Sequence, residues 1–430
     1  MRTLFVVLFL TLLSTASAHD YVPGRPQSQP ILLKGGDLNT VSHGVLEATD
    51  LLFAAGRITE IGKDLALPPG GRVIDVSGQQ VYPGLIAPWS GLGLVEIGAV
   101  RATVDLREVG QVHPEVMAHI AYNTDSEIIP TVRANGITTA LVVPQGGIIS
   151  GRSSLMNLDG WNSEDASEKL NVGLHVNWPR QRIVNAWWME KTADEQKKEN
   201  AKNRKRLGDT FDAARSYYLA KQANPDIEVD TRWEAMLPVF SKSMPVFIHA
   251  GEYRQIEQAV AFAKKQDIRV VLVGGSEAYR LADLLVENDI PVILSNLHST
   301  PMREDDDYDL PYRLPSLLAD AGVEFCISSG SGATGTMNLP FQGGQAVGYG
   351  LDPDVALRAL TLSPAEILGV EGDLGSLEVG KKATLVVSRG DIMDVLTNAV
   401  THEFIEGKEV DLNSRHVELY QKYRARQSQH

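Results

Sequence analysis

One cysteine, Cys326, stands in 430 residues. A lone thiol excludes an internal disulfide and any zinc site built from several cysteines. Basic side chains are outnumbered 54 to 40 by acidic ones, and a net charge of -14 excludes the phosphate attraction on which nucleic-acid binding rests. The one short break in that balance is the basic stretch from Lys197 to Arg206. Past residue 18 no apolar run approaches the roughly 20 residues that a membrane-spanning helix needs. No cysteine follows the first apolar run, which excludes the usual lipoprotein anchor. What is present, 43% apolar and 22% charged residues, is the composition of a folded globular chain and not of a collagenous or disordered one.

The N-terminus has the order of a targeting segment. Arg2 precedes an apolar run from Leu4 to Leu13, and Ser14-Thr15-Ala16-Ser17-Ala18 supplies small residues for cleavage. Residues 1–18 are therefore expected to be a signal peptide, removed after Ala18. That implies a periplasmic or secreted protein with no membrane span left after cleavage.

Residues 19–82 are rich in Val, Ile, Leu and Thr and broken by Gly35-Gly36, Gly56-Arg57 and Pro68-Pro69-Gly70. Such punctuation predicts short strands at close spacing, one part of a small β-sandwich. Over residues 83–370 short apolar runs alternate with helical patterns: Thr138–Pro144, Asn171–Trp178, Met244–His249, Ile268–Gly274, Pro291–Leu297 and Val323–Ser329. Strands alternating with helices predict parallel β/α units. Eight such units occupy about 250 residues, so the expected class is α/β, a (β/α)8 TIM-like barrel. Residues 190–222 interrupt it with a charged helical pattern, read as an exposed insertion. Strands return over 371–412, including Gly375–Gly380, so that both ends of the mature chain would build the small β-sandwich. Residues 413–430 remain as a C-terminal helix or tail.

Val81-Tyr82-Pro83-Gly84-Leu85-Ile86, the stretch Thr361–Gly369 (TLSPAEILG) and the stretch Gly375–Val387 (GSLEVGKKATLVV) resemble the amidohydrolase superfamily, its imidazolonepropionase-like branch in particular. The resemblance implies hydrolysis of amide, peptide or related C–N bonds with one or two divalent metals at the C-terminal mouth of the barrel. A bound metal suits that chemistry because it brings the pKa of water toward neutrality and polarises the scissile carbonyl. The resemblance also implies a His-x-His directly after the first barrel strand, where this chain has Trp89 and Gly91. The family's next histidine is kept as His249. Gly274 and Gly275 stand where a further histidine is expected, and Ser331 where an aspartate is expected. The usual binuclear mechanism is thereby excluded.

Loops after barrel strands build the sites of such folds, and three of them carry candidates. His298 opens the densest charged cluster of the chain, with Glu304, Asp305, Asp306, Asp307 and Asp309. These could ligate a hard cation or, through His298, a zinc ion; the plain alternative is a solvated loop leading into a helix. Leu310 occupies the glycine position of a calcium loop and is followed by Pro311, which excludes an EF-hand. Gln145 to Ser154 mixes glycines and hydroxyls, and could bring backbone N–H groups and Arg152 to a carboxylate; it lacks a P-loop ending, so an ordinary glycine-rich loop is the alternative. His175, beside Trp178 on a further strand, reads as packed, and Cys326 as buried and inert.

Two functions fit these residues. In one, an exported divergent hydrolase holds a single zinc or manganese ion on His249 and His298. Glu304, Asp305 or Asp307 then moves the proton, and Arg152, Arg303, Gln145 and Ser331 bind an amide or peptide-like small molecule. In the other, a metal-free, catalytically inactive subunit scaffolds or regulates an active relative. Both imply a homo-oligomer, or a hetero-oligomer with an active amidohydrolase. A small anionic ligand held at Arg152 and Arg303 without turnover is a third possibility. The gathering of charge after barrel strands favours the hydrolase.

Overall fold

The computed structural model describes residues 21–427, so the expected signal peptide lies outside the described residues. Five N-terminal strands, β1 (Ile31–Asn39), β2 (Val45–Ala54), β3 (Arg57–Gly62), β4 (Arg72–Asp75) and β5 (Gln80–Pro83), open one sheet. It is completed from the far end of the chain in the order β18-β17-β16-β5-β1-β2-β3, with β4 beside β1. Strand β1 changes partner along its length, pairing with β4 over Ile31–Lys34 and with β5 at Asp37 and Leu38. Gly35, at φ +73°, makes that bend possible, since a residue with a Cβ resists this conformation. The sheet is a single hydrogen-bonded ladder bent over its own core rather than two stacked sheets. In that core Phe53 from β2 meets Phe404 edge-on at 5.0 Å, one ring from each end of the chain.

The middle of the chain begins with β6 (Leu85–Ser90) and β7 (Ile137–Val142), paired parallel. The register slips between Ala87 and Ser90, where Pro88 has no N–H to give to the ladder. Next come β8 (Ile149–Arg152), β9 (Ser154–Asn157) and β10 (Ser167–Lys169). Strands β8 and β9 form one extended stretch that runs antiparallel to β7 on one side and to β11 (Leu174–Asn177) on the other. Much of the segment read as a glycine-rich loop is thus strand: its buried Ile149, with Leu155 and Met156 just beyond it, drives it into the sheet. From β11 the order runs parallel through β12 (Val246–Ala250), β13 (Val270–Gly274), β14 (Val292–Leu294) and β15 (Phe325–Ile327).

Ile86, Leu141, Leu155, Phe247, Val271, Ile293 and Cys326, one each from β6, β7, β9, β12, β13, β14 and β15, share one interior core. A second apolar layer lies between strands and helices, as alternation on strands covered on both faces requires. Strands β6 and β15 adjoin through Ser328 Oγ, which donates to the Trp89 carbonyl at 3.3 Å.

Residues 190–222 fall largely in a 31-residue helix, Ala193–Ala223, started by a reciprocal capping box between Thr192 and Glu195. It touches the body through few residues, with Phe211 edge-on to Phe262 at 5.0 Å. The stretch Gly375–Gly380, expected as a strand, is a turn. Gly375 adopts φ +91°, and a Cβ there would lie 2.9 Å from Leu362 Cα, so backbone packing overrides the strand-like alternation. The small sheet closes with β16 (Leu385–Ser388), β17 (Val400–Ile405) and β18 (Lys408–Glu409), where Val387 of β16 pairs with Val81 of β5. An exposed helix, Arg415–Gln427, follows. Among the described residues no helix is long and apolar enough to cross a membrane.

Candidate active site at the mouth of the parallel strands

His249 ends β12 and faces the interior two residues after Phe247, as strand alternation requires. Its neighbour on β11 is His175, whose Nδ1 lies 2.9 Å from His249 Nε2, while the His175 ring stacks on Phe247 at 4.8 Å. Such a contact needs one ring nitrogen to donate and the other to accept, so at most one of the two imidazoles can carry a proton on both nitrogens. Burial pushes His249 down to about 4; burial and then the neighbouring His249 push His175 well below the ordinary imidazole value. The other edge of His249 meets Trp89, 5.1 Å between ring centres. His175 Nε2 and Trp89 Nε1 are buried without a hydrogen-bond partner.

On the β6 side the mouth is closed. Gly91 fits so tightly that a Cβ would lie 2.9 Å from the Ser331 carbonyl oxygen and 3.0 Å from Leu106. Gln145 Nε2 stands just behind, 3.8 Å from the same point. Ser90 Oγ and Thr336 Oγ1 bond at 2.7 Å and are buried. Val273 of β13 sits opposite His249 in register, so an aliphatic side chain fills the place beside the imidazole.

On the β11 to β14 side the mouth is open. A cavity of about 880 Å³ is lined by Trp89, Asn177, His249, Glu252, Gln255, Val273 and Glu304, among others. Its wall is held by Trp178, whose N–H donates to the His249 carbonyl at 3.1 Å, and by Gln255, whose Nε2 donates to the Trp178 carbonyl at 3.0 Å. A second space of about 600 Å³ shares Arg182, Glu252, Met302 and Glu304 with it.

The expected site residues divide between these regions. Glu304 lines both spaces, and Arg303 and Asp305 line the second. Asp307 points away, 3.5 Å from Arg313. His298 opens into a different cavity, beside Phe341 and Met393, so the structure does not gather it with His249. Arg152 is half-buried on β8 and spends its guanidinium on the carbonyls of Pro114 and Glu115 at 3.2 and 3.1 Å; it lines neither space. Ser331 and Gln145 come together, but around Gly91. Sequence reasoning missed the His175–His249 contact and the arginines Arg182, Arg254 and Arg280, which share the second space with Arg303. Register could have signalled the first; the arginines lie in separate segments after the strands, with no local motif.

The family model described as the amidohydrolase family matches residues 312–410. An imidazolonepropionase from Symbiobacterium thermophilum is 24% identical over 382 residues, 82% of this chain and 85% of that enzyme. A dihydroorotase from Geobacter sulfurreducens is 46% identical over 56 residues only, 13% of each chain. Among solved structures, an amidohydrolase from Thermotoga maritima superposes with a TM-score of 0.80 at 24% identity, over 89% of this chain and 99% of that one. Residues 312–410 thus match the amidohydrolase family, and the chain shares the fold of the Thermotoga maritima amidohydrolase. Members of this family are hydrolases acting on C–N bonds, and the superfamily generally uses divalent metals such as zinc.

The residues at this mouth do not fit that metal centre. Among the described residues no three His, Cys, Asp or Glu side chains come together as a ligand set. The two imidazoles are engaged with each other, and the Gly91 position has no room for a side chain.

Proposed function

We propose that this protein keeps the loop face of a closed (β/α)8 amidohydrolase barrel as a binding site for a small amide or peptide-like molecule. The family's two-metal centre is replaced by packed side chains. In this role it is an exported, non-hydrolytic member that scaffolds or regulates an active relative. The observation that carries the reading is Gly91: a carbonyl oxygen 2.9 Å from its Cβ position leaves no place for an imidazole where the first strand should supply one. Trp89, edge-on to His249, fills the remaining space. Closure of the barrel is supported by the interior core shared between strands of both sheets and by the Thermotoga maritima neighbour. Export rests on the sequence of residues 1–18.

One observation favours a second reading, a divergent hydrolase with a single zinc or manganese ion. Glu252 and Glu304 line the same cavity as His249, so a carboxylate and an imidazole do face one space. Metal content of the mature protein, purified without chelators and measured by plasma mass spectrometry, separates the two. The proposed function expects only trace metal after zinc or manganese supplementation. About one ion per chain, lost in His249→Ala, would overturn it and establish the hydrolase.

A further inference from the structure

The space beside the mouth has a wall that no motif announces. The segments that follow four consecutive strands, β11 to β14, each contribute one arginine to it: Arg182, Arg254 in the first turn of the helix Tyr253–Gln266, Arg280 in the short helix Ala278–Leu281, and Arg303. Four guanidiniums from four separate segments share a cavity of about 600 Å³ in a chain of net charge -14.

Two of the carboxylates that share the lining are already engaged. Glu252 turns its Oε2 onto backbone, accepting the N–H groups of Gln181 and Arg182 at 3.3 and 3.0 Å. Glu277, 4% exposed, accepts the Tyr253 N–H on Oε2 at 2.5 Å and faces Arg303 Nε at 2.6 Å and Arg280 Nη1 at 3.5 Å on Oε1. It therefore works as an anchor that aims two guanidiniums, engaging one nitrogen of each. Arg182 gives Nη1 to the Met302 carbonyl at 2.7 Å. Arg254 is exposed and has no ion pair or hydrogen bond among the described residues. Glu304 and Asp305 are exposed, as are the four arginines, so water screens both signs there. The lining thus holds four arginines and four carboxylates, and two of the carboxylates, Glu252 and Glu277, are already engaged.

We propose that this annex binds a small dianion, a dicarboxylate or a phosphate monoester, through the arginines that follow β11 to β14. A planar guanidinium matches both oxyanions with paired N–H bonds, which an ammonium does not. The inference rests on the preceding reading of the mouth as a small-molecule site and supplies the charge of its ligand.

The test is isothermal titration of the mature protein with glutarate and with inorganic phosphate, using neutral glutaramide as the control. Glutarate or phosphate binds, the diamide does not, and the affinity falls as salt is raised. Whichever anion binds more tightly identifies the headgroup. Arg254→Gln weakens binding about tenfold and Arg254→Lys by less, as expected when one charged pair or only its fork geometry is lost. Arg254 touches no structural partner, so both variants melt at the temperature of the parent. Heat from neither anion at millimolar concentration, or an affinity untouched by Arg254→Gln and Arg280→Gln, would overturn the proposal. Metal content is read on the same preparation: stoichiometric metal with anion binding intact defeats the metal-free function and leaves the annex standing.

Discussion

The two sides of the mouth have parted company. Around β6, β7 and β15 it is tight and short of charge: Gly91 against the Ser331 carbonyl, Ser90 bonded to Thr336, Trp89 against His249. Around β11 to β14 it is open, wet and rich in arginine. Of the ligand positions that the resemblance implies, the His-x-His and the aspartate fall on the first of these sides. Here that side has been turned into core, and polar chemistry has gathered on the other. The barrel tolerates this because loops vary independently while the strands beneath them keep one packed interior.

The strongest way to sharpen that contrast is through pH. His249 falls from an ordinary value near 6.5 to about 4, so the unfolded chain takes up a proton over that interval and the folded one does not. Its contribution is fully present above about pH 6.5 and is lost as pH falls toward 4, on the order of 3 kcal/mol. Denaturant titrations between pH 7 and 4 should show this slope, and His249→Phe should flatten it. Gly91→Ala comes next: with a carbonyl oxygen in the way it should cost about 2 kcal/mol, and unchanged stability would mean that the closed side is loose.

Arg303→Gln should lower the melting temperature slightly, because the buried Glu277 loses its shortest ionic contact and keeps Arg280 and the Tyr253 N–H. Ser90→Ala should cost about 1 kcal/mol through the lost bond to Thr336. Arg254→Gln should move stability by no more than about 0.5 kcal/mol. If the ranking of Ser90 and Arg254 inverted in thermal melts, the division of the mouth into a structural and a binding side would fail.

Most of the barrel was legible in the sequence because its strands are continuous apolar runs: Val270–Gly274 and Phe325–Ile327 lie within the segments expected for them, and Val246–Ala250 runs one residue past its own. The stretch Ile149–Asn157 was not, since its glycines and serines suggest a loop and its antiparallel course departs from the β/α rhythm. Gly375–Gly380 misled in the opposite direction, alternating like a strand while its first glycine is held in a turn. At the site, His249 could be picked out by its place at a strand end. His175 looked packed, and it is, but the register that sets it on His249 belongs to the pairing of two strands. His298 was close to His249 only in the argument that loops after strands converge; its side chain leaves by another cavity. The four arginines are far apart in sequence, and only the parallel order of β11 to β14 brings them together.

The small sheet has a consequence for the life of the chain before it is whole. Its β5 and β16 pair across a separation that takes in nearly all of the barrel, with Val81 against Val387. A chain emerging N-terminus first must therefore carry five unfinished strands, with one edge open, until its last quarter arrives. Contacts so distant in sequence form late and slowly, and an open edge invites pairing with strangers. Shortening the chain before β16 would leave the barrel sequence complete and its first strands without a clasp.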